Sequence, residues 1–370
     1  MKTRWLGFTG LALAAVLFAA CSTEEGETTF KYYVYATEAG SGKVSAFSMK
    51  PGTGALTALS GSPFAAGAQP QSVAADPSGK YLYVANYFSD TISAYAIDAA
   101  TGVLTAVPGS PFSAGLGPYS ITVEPSGKFA YVANADGDNV WPYLIDPDTG
   151  ALAPYGSLAA PAGIHPSFVT ADPTGKFLYV ANEYSGDISA YAINAGSGEL
   201  AAISGSPFAT GGYPRTVVVD PSGKYAYAAN SASRNVSAFT IDAVTGALAV
   251  IPGSPFAAGR NPLSIAVDPS GKFVYAGNWD SSDVSAYTID ADTGALRAVS
   301  GSPFVAGAGP SAVAVDPAGK YVYVANYWSD DISGFSYSSA TGALSELASS
   351  SYAVTAGAHP SSIVVIRIEQ

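Results

Sequence analysis

Reactive side chains are scarce in this 370-residue sequence, which has two histidines, His165 and His359, and one cysteine, Cys21. Both histidines stand immediately before a proline, at His165-Pro166 and His359-Pro360. Near the first of them in sequence lie Asn182-Glu183 and Pro214-Arg215. His or Glu can act as a base toward water. Arg can stabilise the oxyanion that develops when water attacks an acyl carbon. His165, Glu183 and Arg215 therefore form a candidate catalytic set for hydrolysis of a carboxylic ester such as a lactone.

Composition removes much other chemistry. One cysteine excludes an intrachain disulfide framework and a cysteine-built zinc cluster. Two histidines give no basis for a histidine-built metal site. Asn134-Ala135-Asp136-Gly137-Asp138-Asn139 alternates oxygen ligands, but it lacks the glycine and closing glutamate of a calcium-binding EF-hand loop. There is no nucleophile elbow, P-loop or dinucleotide fingerprint. The sequence thus calls for no metal and no cofactor. A formal net charge of −12 argues against nucleic acid, whose phosphates need a basic face.

The elements that would position these residues are set by a repeat. Asp76-Pro77-Ser78-Gly79-Lys80 recurs, with small changes, at 124, 172, 220, 268 and 316, in steps of 48 residues. Thr53-Gly54-Ala55-Leu56 recurs at 101, 149, 197, 245, 293 and 341, and Asn86 recurs as Asn134, Asn182, Asn230, Asn278 and Asn326. Turn residues cut each unit into four strands. In the unit after residue 70 these are Ser72–Asp76, Tyr81–Asn86, Thr91–Ile97 and roughly Val103–Val107, with a loop at Tyr87–Asp90. Four short antiparallel strands in 40–50 residues describe a propeller blade. Tyr33–Leu59 matches strands two to four only, and Ser361–Ile368 matches strand one only. The two ends should therefore share a blade. The expected fold is an all-β, seven-bladed β-propeller over residues 31–370, closed by its C-terminal strand and monomeric.

In a near-perfect repeat, shared residues build scaffold, and function belongs where columns differ. The column before the strand-one proline reads Gln69, Gly117, His165, Tyr213, Asn261, Gly309, His359. The column after it reads Gln71, Tyr119, Ser167, Arg215, Leu263, Ser311, Ser361. The loop after the repeated Asn adds Glu183, Trp279 and Trp328. These connections should share one face. The expected ligand-binding mouth is aromatic and acidic, built by Gln69, Tyr119, Tyr213, Asn261, Trp279, Trp328 and His359. Ser62-Pro63-Phe64 and its copies should wedge Phe between blades.

The first residues read as an address. Lys2 and Arg4 precede an apolar run to Ala20, shorter than a membrane span, and Cys21 ends it before a polar stretch. Leu17-Phe18-Ala19-Ala20-Cys21 resembles a bacterial lipobox. That resemblance implies a signal peptide at 1–20, a lipid on Cys21, an acidic tether at 21–30, and membrane attachment in the cell envelope, facing the periplasm or the surface.

The repeat itself resembles the seven-bladed lactonase family, which includes 6-phosphogluconolactonase-type enzymes. Through Tyr83-Val84-Ala85-Asn86 and its copies it is also similar to Tyr-Val-Thr-Asn-type propellers. That family pattern carries His-x-His in the blade of His165, and Arg-His followed by an Asn-Glu loop in the next. Here the matching residues are His165-Pro166-Ser167, Arg215-Thr216 and Asn230-Ser231. Arg215 and His165 carry over, and Asn182-Glu183 supplies the acidic dipeptide one blade early. The expectation is a propeller that recognises a protein, glycan or small ligand at its loop face. The alternative is a lactone hydrolase. A phosphorylated substrate would want a cation cluster, so a neutral lactone suits the aromatic mouth better.

Overall fold

The computed structural model describes residues 29–155 and 159–370. The signal segment and Cys21 lie outside the described residues, as does most of the tether. Seven small antiparallel sheets are ordered outward from seven inner strands. The inner strands are Pro70–Ala75, Pro118–Val123, Pro166–Ala171, Pro214–Val219, Pro262–Val267, Pro310–Val315 and Pro360–Glu369, leading blades two to seven and blade one. Blade one is composite: Phe30–Glu38 pairs with both Lys43–Met49 and the C-terminal Pro360–Glu369. Its edge is closed by the other end of the chain, as the two partial repeats require.

Three details differ from the sequence reading. Inner strands begin at the proline, two residues earlier than expected, because a Pro at a strand start forfeits no ladder hydrogen bond. The outer strand is split into Leu104–Ala106 and Phe112–Ser113, both pairing with Thr91–Ile97. Among the described residues only blade seven, where the chain carries two extra residues, has one continuous outer strand, Leu344–Ala353. Finally, Tyr87–Ser89 in the expected loop forms a single 3-10 turn.

The shared residues explain themselves once placed. Asp76 accepts the backbone N–H groups of Ser78 at 3.0 Å and Tyr81 at 2.6 Å, and Gly79 takes φ 72° to complete the turn. The six turn lysines are exposed. The Tyr83 hydroxyl donates across the blade boundary to the Gly150 carbonyl at 3.0 Å. Tyr35, Tyr131, Tyr179, Tyr227, Tyr275 and Tyr323 do the same to Gly102, Gly198, Gly246, Gly294, Gly342 and Gly54. The last of these runs from blade seven back to blade one, so the clamps close a ring. Each is fully buried and contributes about 1 kcal/mol net. Burial raises the pKa of each of these phenols. Gly102 must be glycine: it has φ 73°, and a Cβ there would stand 2.3 Å from the Tyr33 ring.

The core is correspondingly divided. Seven apolar clusters each lie between two neighbouring blades. Phe64, Phe112, Phe208, Phe256 and Phe304 pack against their edges, as the repeated Ser-Pro-Phe suggested.

Candidate functional site

Two backbone features at the start of each inner strand build the mouth. The residue before the proline is left-handed in all seven blades, with φ from 51° at Gln69 to 70° at Gly309. Gly and Asn suit that conformation and His is tolerated there, whereas Gln69 and Tyr213 hold it against their preference. The residue after the proline is a β-bulge: Pro214 pairs with Asn230 and Thr216 with Ala229, which leaves Arg215 unopposed. The same slip occurs at Gln71, Tyr119, Ser167, Leu263, Ser311 and Ser361. A bulge re-aims its side chain. Here all seven bulge residues line a cleft of about 730 Å³ at the loop end of the channel.

At least one hydroxyl near each bulge ties a blade to the next. Ser72, Ser120, Ser264 and Ser362 accept the N–H of Ile121, Val169, Val313 and Val73. Thr216 donates to Leu263 O at 2.6 Å, Ser311 to Pro360 O at 2.6 Å, and Ser167 to Pro214 O at 3.1 Å. Ser167 and Thr216 stand where the lactonase pattern has histidines. Both are buried and occupied in these bridges.

The three candidate catalytic residues come together. Arg215 Nη1 donates to Glu183 Oε2 at 2.6 Å, and Nη2 donates to the Tyr119 hydroxyl at 2.5 Å. His165 Nδ1 lies 3.1 Å from the same Glu183 oxygen, at ion-pair distance but without hydrogen-bond alignment. Burial pushes the Glu183 carboxyl up, but His165 and Arg215 outweigh it and hold the group below the usual carboxylate range. Burial also works against the Arg215 charge. The Tyr119 and Glu183 oxygens more than offset it, and two of the five guanidinium N–H donors account for both contacts.

Glu183, Arg215 and Tyr119 line the cleft, whereas His165 does not. The His165 ring is stacked on Tyr184 with centroids 4.5 Å apart and sits edge-on to Tyr119 at 5.8 Å. Its backbone N–H is held by Asp138 at 2.8 Å. It packs beside the cleft, between Tyr184 and Tyr119.

Of the expected mouth residues, Gln69, Tyr119, Tyr213, Asn261, Trp279 and Trp328 line the cleft, and His359 does not. His359 lies flat on Tyr327, with centroids 4.5 Å apart and planes 8° apart, and its Nδ1 is 3.5 Å from Asp330. Two aromatic arcs result. One runs Phe88–Tyr87–Tyr119–His165–Tyr184–Tyr213, the other Trp279–Tyr327–Trp328–His359. The Tyr87 hydroxyl donates to Asp136 at 3.1 Å, and burial together with that carboxylate pushes its pKa up to about 12. Asp136 and Asp138 are thus loop clamps. Among the described residues no group of three or more His, Cys, Asp or Glu side chains is placed to hold a metal ion.

Sequence columns alone did not single out Arg234, which lines the cleft together with Asp280 of the loop after Asn278. Arg234 was legible as an oddity: it takes the position where Asp90, Asp138 and Asp330 clamp the next blade's backbone. The mouth therefore carries cations on blade five and carboxylates on blades four and six.

The chain matches the family profile described as lactonase, 7-bladed β-propeller, over residues 28–164, 164–259 and 250–359. No curated protein matches it significantly. Among solved structures, a candidate 6-phosphogluconolactonase from Bacteroides uniformis superposes with a TM-score of 0.79 at 22% identity, over 91% of this chain and 99% of that one. A second such candidate, from Bacteroides fragilis, gives 0.77 at 25% identity, over 91% and 98%. The periplasmic gluconolactonase of Pseudomonas aeruginosa gives 0.76 at 19% identity, over 91% and 99%.

Proposed function

The chain belongs to the seven-bladed β-propeller lactonase family, and on that premise we propose that it is a recognition propeller binding a small polyhydroxylated ligand, a sugar or lactone, in its mouth. The observation that carries this reading is how the polar wall is occupied. Arg215 is aimed into the cleft by its bulge and held by Glu183 and Tyr119, with donors to spare. Aromatic arcs flank it, which suits a ligand with an apolar ring face and hydroxyl edges. A base for hydrolysis is the missing part. The His165 ring is taken up between Tyr184 and Tyr119 and does not line the cleft, and a carboxylate with a depressed pKa is a weak proton acceptor. The residues that replace two family histidines, Ser167 and Thr216, serve as blade bridges.

Lactone hydrolysis is the second reading, supported by the family and by Glu183 and Arg215 sharing one wall of the cleft. In it Glu183 would direct water at the acyl carbon of a neutral lactone, and Arg215 would donate to the oxyanion. Opening of δ-gluconolactone and of 6-phosphogluconolactone by residues 28–370 separates the two. Binding of δ-gluconolactone without acceleration of its opening supports recognition. Turnover that is abolished by Arg215→Ala in a folded protein establishes the hydrolase instead.

The proposal extends to location. The Leu17–Cys21 motif supports a lipid on Cys21 and attachment to an envelope membrane. Cys21→Ser should abolish lipid labelling and membrane retention, and a variant that stays labelled and bound would refute the anchor.

A further inference from the structure

We infer that the anchored propeller stands with its turn face toward the membrane and its cleft opening away from it, an orientation that rests on the lipid-anchor reading. The geometry begins at the termini. Phe30 pairs with Glu369, and the Gln370 N–H donates to Thr29 O at 2.9 Å. Phe30–Glu38 is the second strand of blade one and runs from the turn face to the loop face, where Ala39 and Gly40 bond to His359 O and Ala358 O. Both chain ends therefore leave on the face of the Asp-Pro-Ser-Gly-Lys turns, opposite the cleft.

Chain length then limits what the anchor allows. Only the eight residues Cys21 to Thr28 separate the lipid from Thr29. At full extension they reach at most about 29 Å. The nine residues Phe30–Glu38 already span about 30 Å from turn face to loop face. Placing the cleft on the membrane would lift Thr29 that far from the lipid. The connection would also have to pass the two outer strands of a blade, roughly 10 Å more at the usual strand spacing. The tether is too short for both, so the turn face, with its six exposed lysines, is the face next to the headgroups. The ligand of the mouth then arrives from the aqueous side, and lipid of the same leaflet is out of reach.

Cys21 is the sole cysteine and would be blocked by its lipid, so introduced cysteines give unique labels. Lys176→Cys reports the turn face and Leu116→Cys, 62% exposed, the loop face. Each full-length lipidated variant is labelled with a fluorophore and placed in phosphatidylcholine vesicles whose headgroups carry a quencher. The expected result is at least fivefold stronger quenching for Lys176→Cys. A roughly 30-residue Gly/Ser insertion after Thr28 should remove the contrast by freeing both faces. Equal or reversed quenching in vesicle-bound, lipid-bearing protein overturns the orientation while leaving the anchor intact. A contrast that survives the insertion overturns tether length as its cause. Protein that carries no lipid by mass and leaves the vesicles overturns the anchor, and the orientation with it.

Discussion

The turn face and the loop face of this propeller are built from the same strands, yet they treat sequence differently. On the turn face, the buried carboxylate of each Asp or Glu caps its own turn, and Lys after Lys points to solvent. On the loop face, one repeated backbone device, a left-handed residue, a proline and a bulge, presents five residue types at each of its two variable positions. Seven copies of a scaffold thus hold a varied ring of Gln71, Tyr119, Ser167, Arg215, Leu263, Ser311 and Ser361, in which only serine recurs. Constancy of backbone is what permits variation of side chains, because a bulge residue carries no cross-strand partner to lose.

This contrast can be broken at graded levels. The harshest test removes Ser361–Gln370. Blade one loses its inner strand and Ile363, Val365, Ile366 and Ile368 leave two interblade clusters. Cooperative unfolding should be lost or the melting temperature should fall by tens of degrees in calorimetry, and unchanged melting would contradict ring closure. Next, Arg215→Ala strands the mostly buried Glu183 carboxylate. A loss of about 1.5–3 kcal/mol in urea unfolding is expected, as for hydrogen bonds to charged groups. Tyr227→Phe removes one clamp and leaves the Gly294 carbonyl unpaired, costing about 1 kcal/mol, and the equivalent change at Tyr179 should cost the same within error. Lys224→Ala, on the exposed rim, should fall within about 0.5 kcal/mol of the parent.

The pH response sharpens the comparison without removing a residue's shape. Glu183 is held below its ordinary 4.5 in the folded protein, so its contribution is complete above that value. It is lost as pH falls through the lower folded value. Exposed carboxylates of the turn face, such as Asp98 and Asp242, titrate low as well, held by Thr101 and Thr245. The mouth's share is therefore the difference between parent and Arg215→Ala. Below pH 4.5 the two stability curves should converge, and parallel curves would deny the coupling.

Much of the fold was legible because it is written seven times. The markers at Tyr83 and Gly102 become intelligible as clamps and blade junctions, and even the shared blade could be counted from the incomplete repeats. One departure in the scaffold was also in plain view: Glu38 occupies the Asn column, fully buried, and accepts Ser41 Oγ and Ser45 Oγ at 2.5 Å. The mouth columns were legible as columns. What spacing could not supply was direction. His165 and Arg215 come from the columns on either side of the repeated proline, yet Arg215 on its bulge lines the cleft, whereas the His165 ring is taken up between Tyr184 and Tyr119. Nor could it show that the hydroxyls of Ser167 and Thr216 bond to the next blade, since that depends on contacts between residues 47 apart in sequence.

The central claim is that the bulge ring forms a ligand site with Arg215 as its polar anchor. Trp279 and Trp328 line that cleft and report on it directly. The decisive measurement is tryptophan emission of the folded propeller titrated with δ-gluconolactone and glucose. A saturable change in the parent, weakened at least tenfold in a folded Arg215→Gln, is the predicted result. No change in the parent, or an identical titration in Arg215→Gln, would contradict the account.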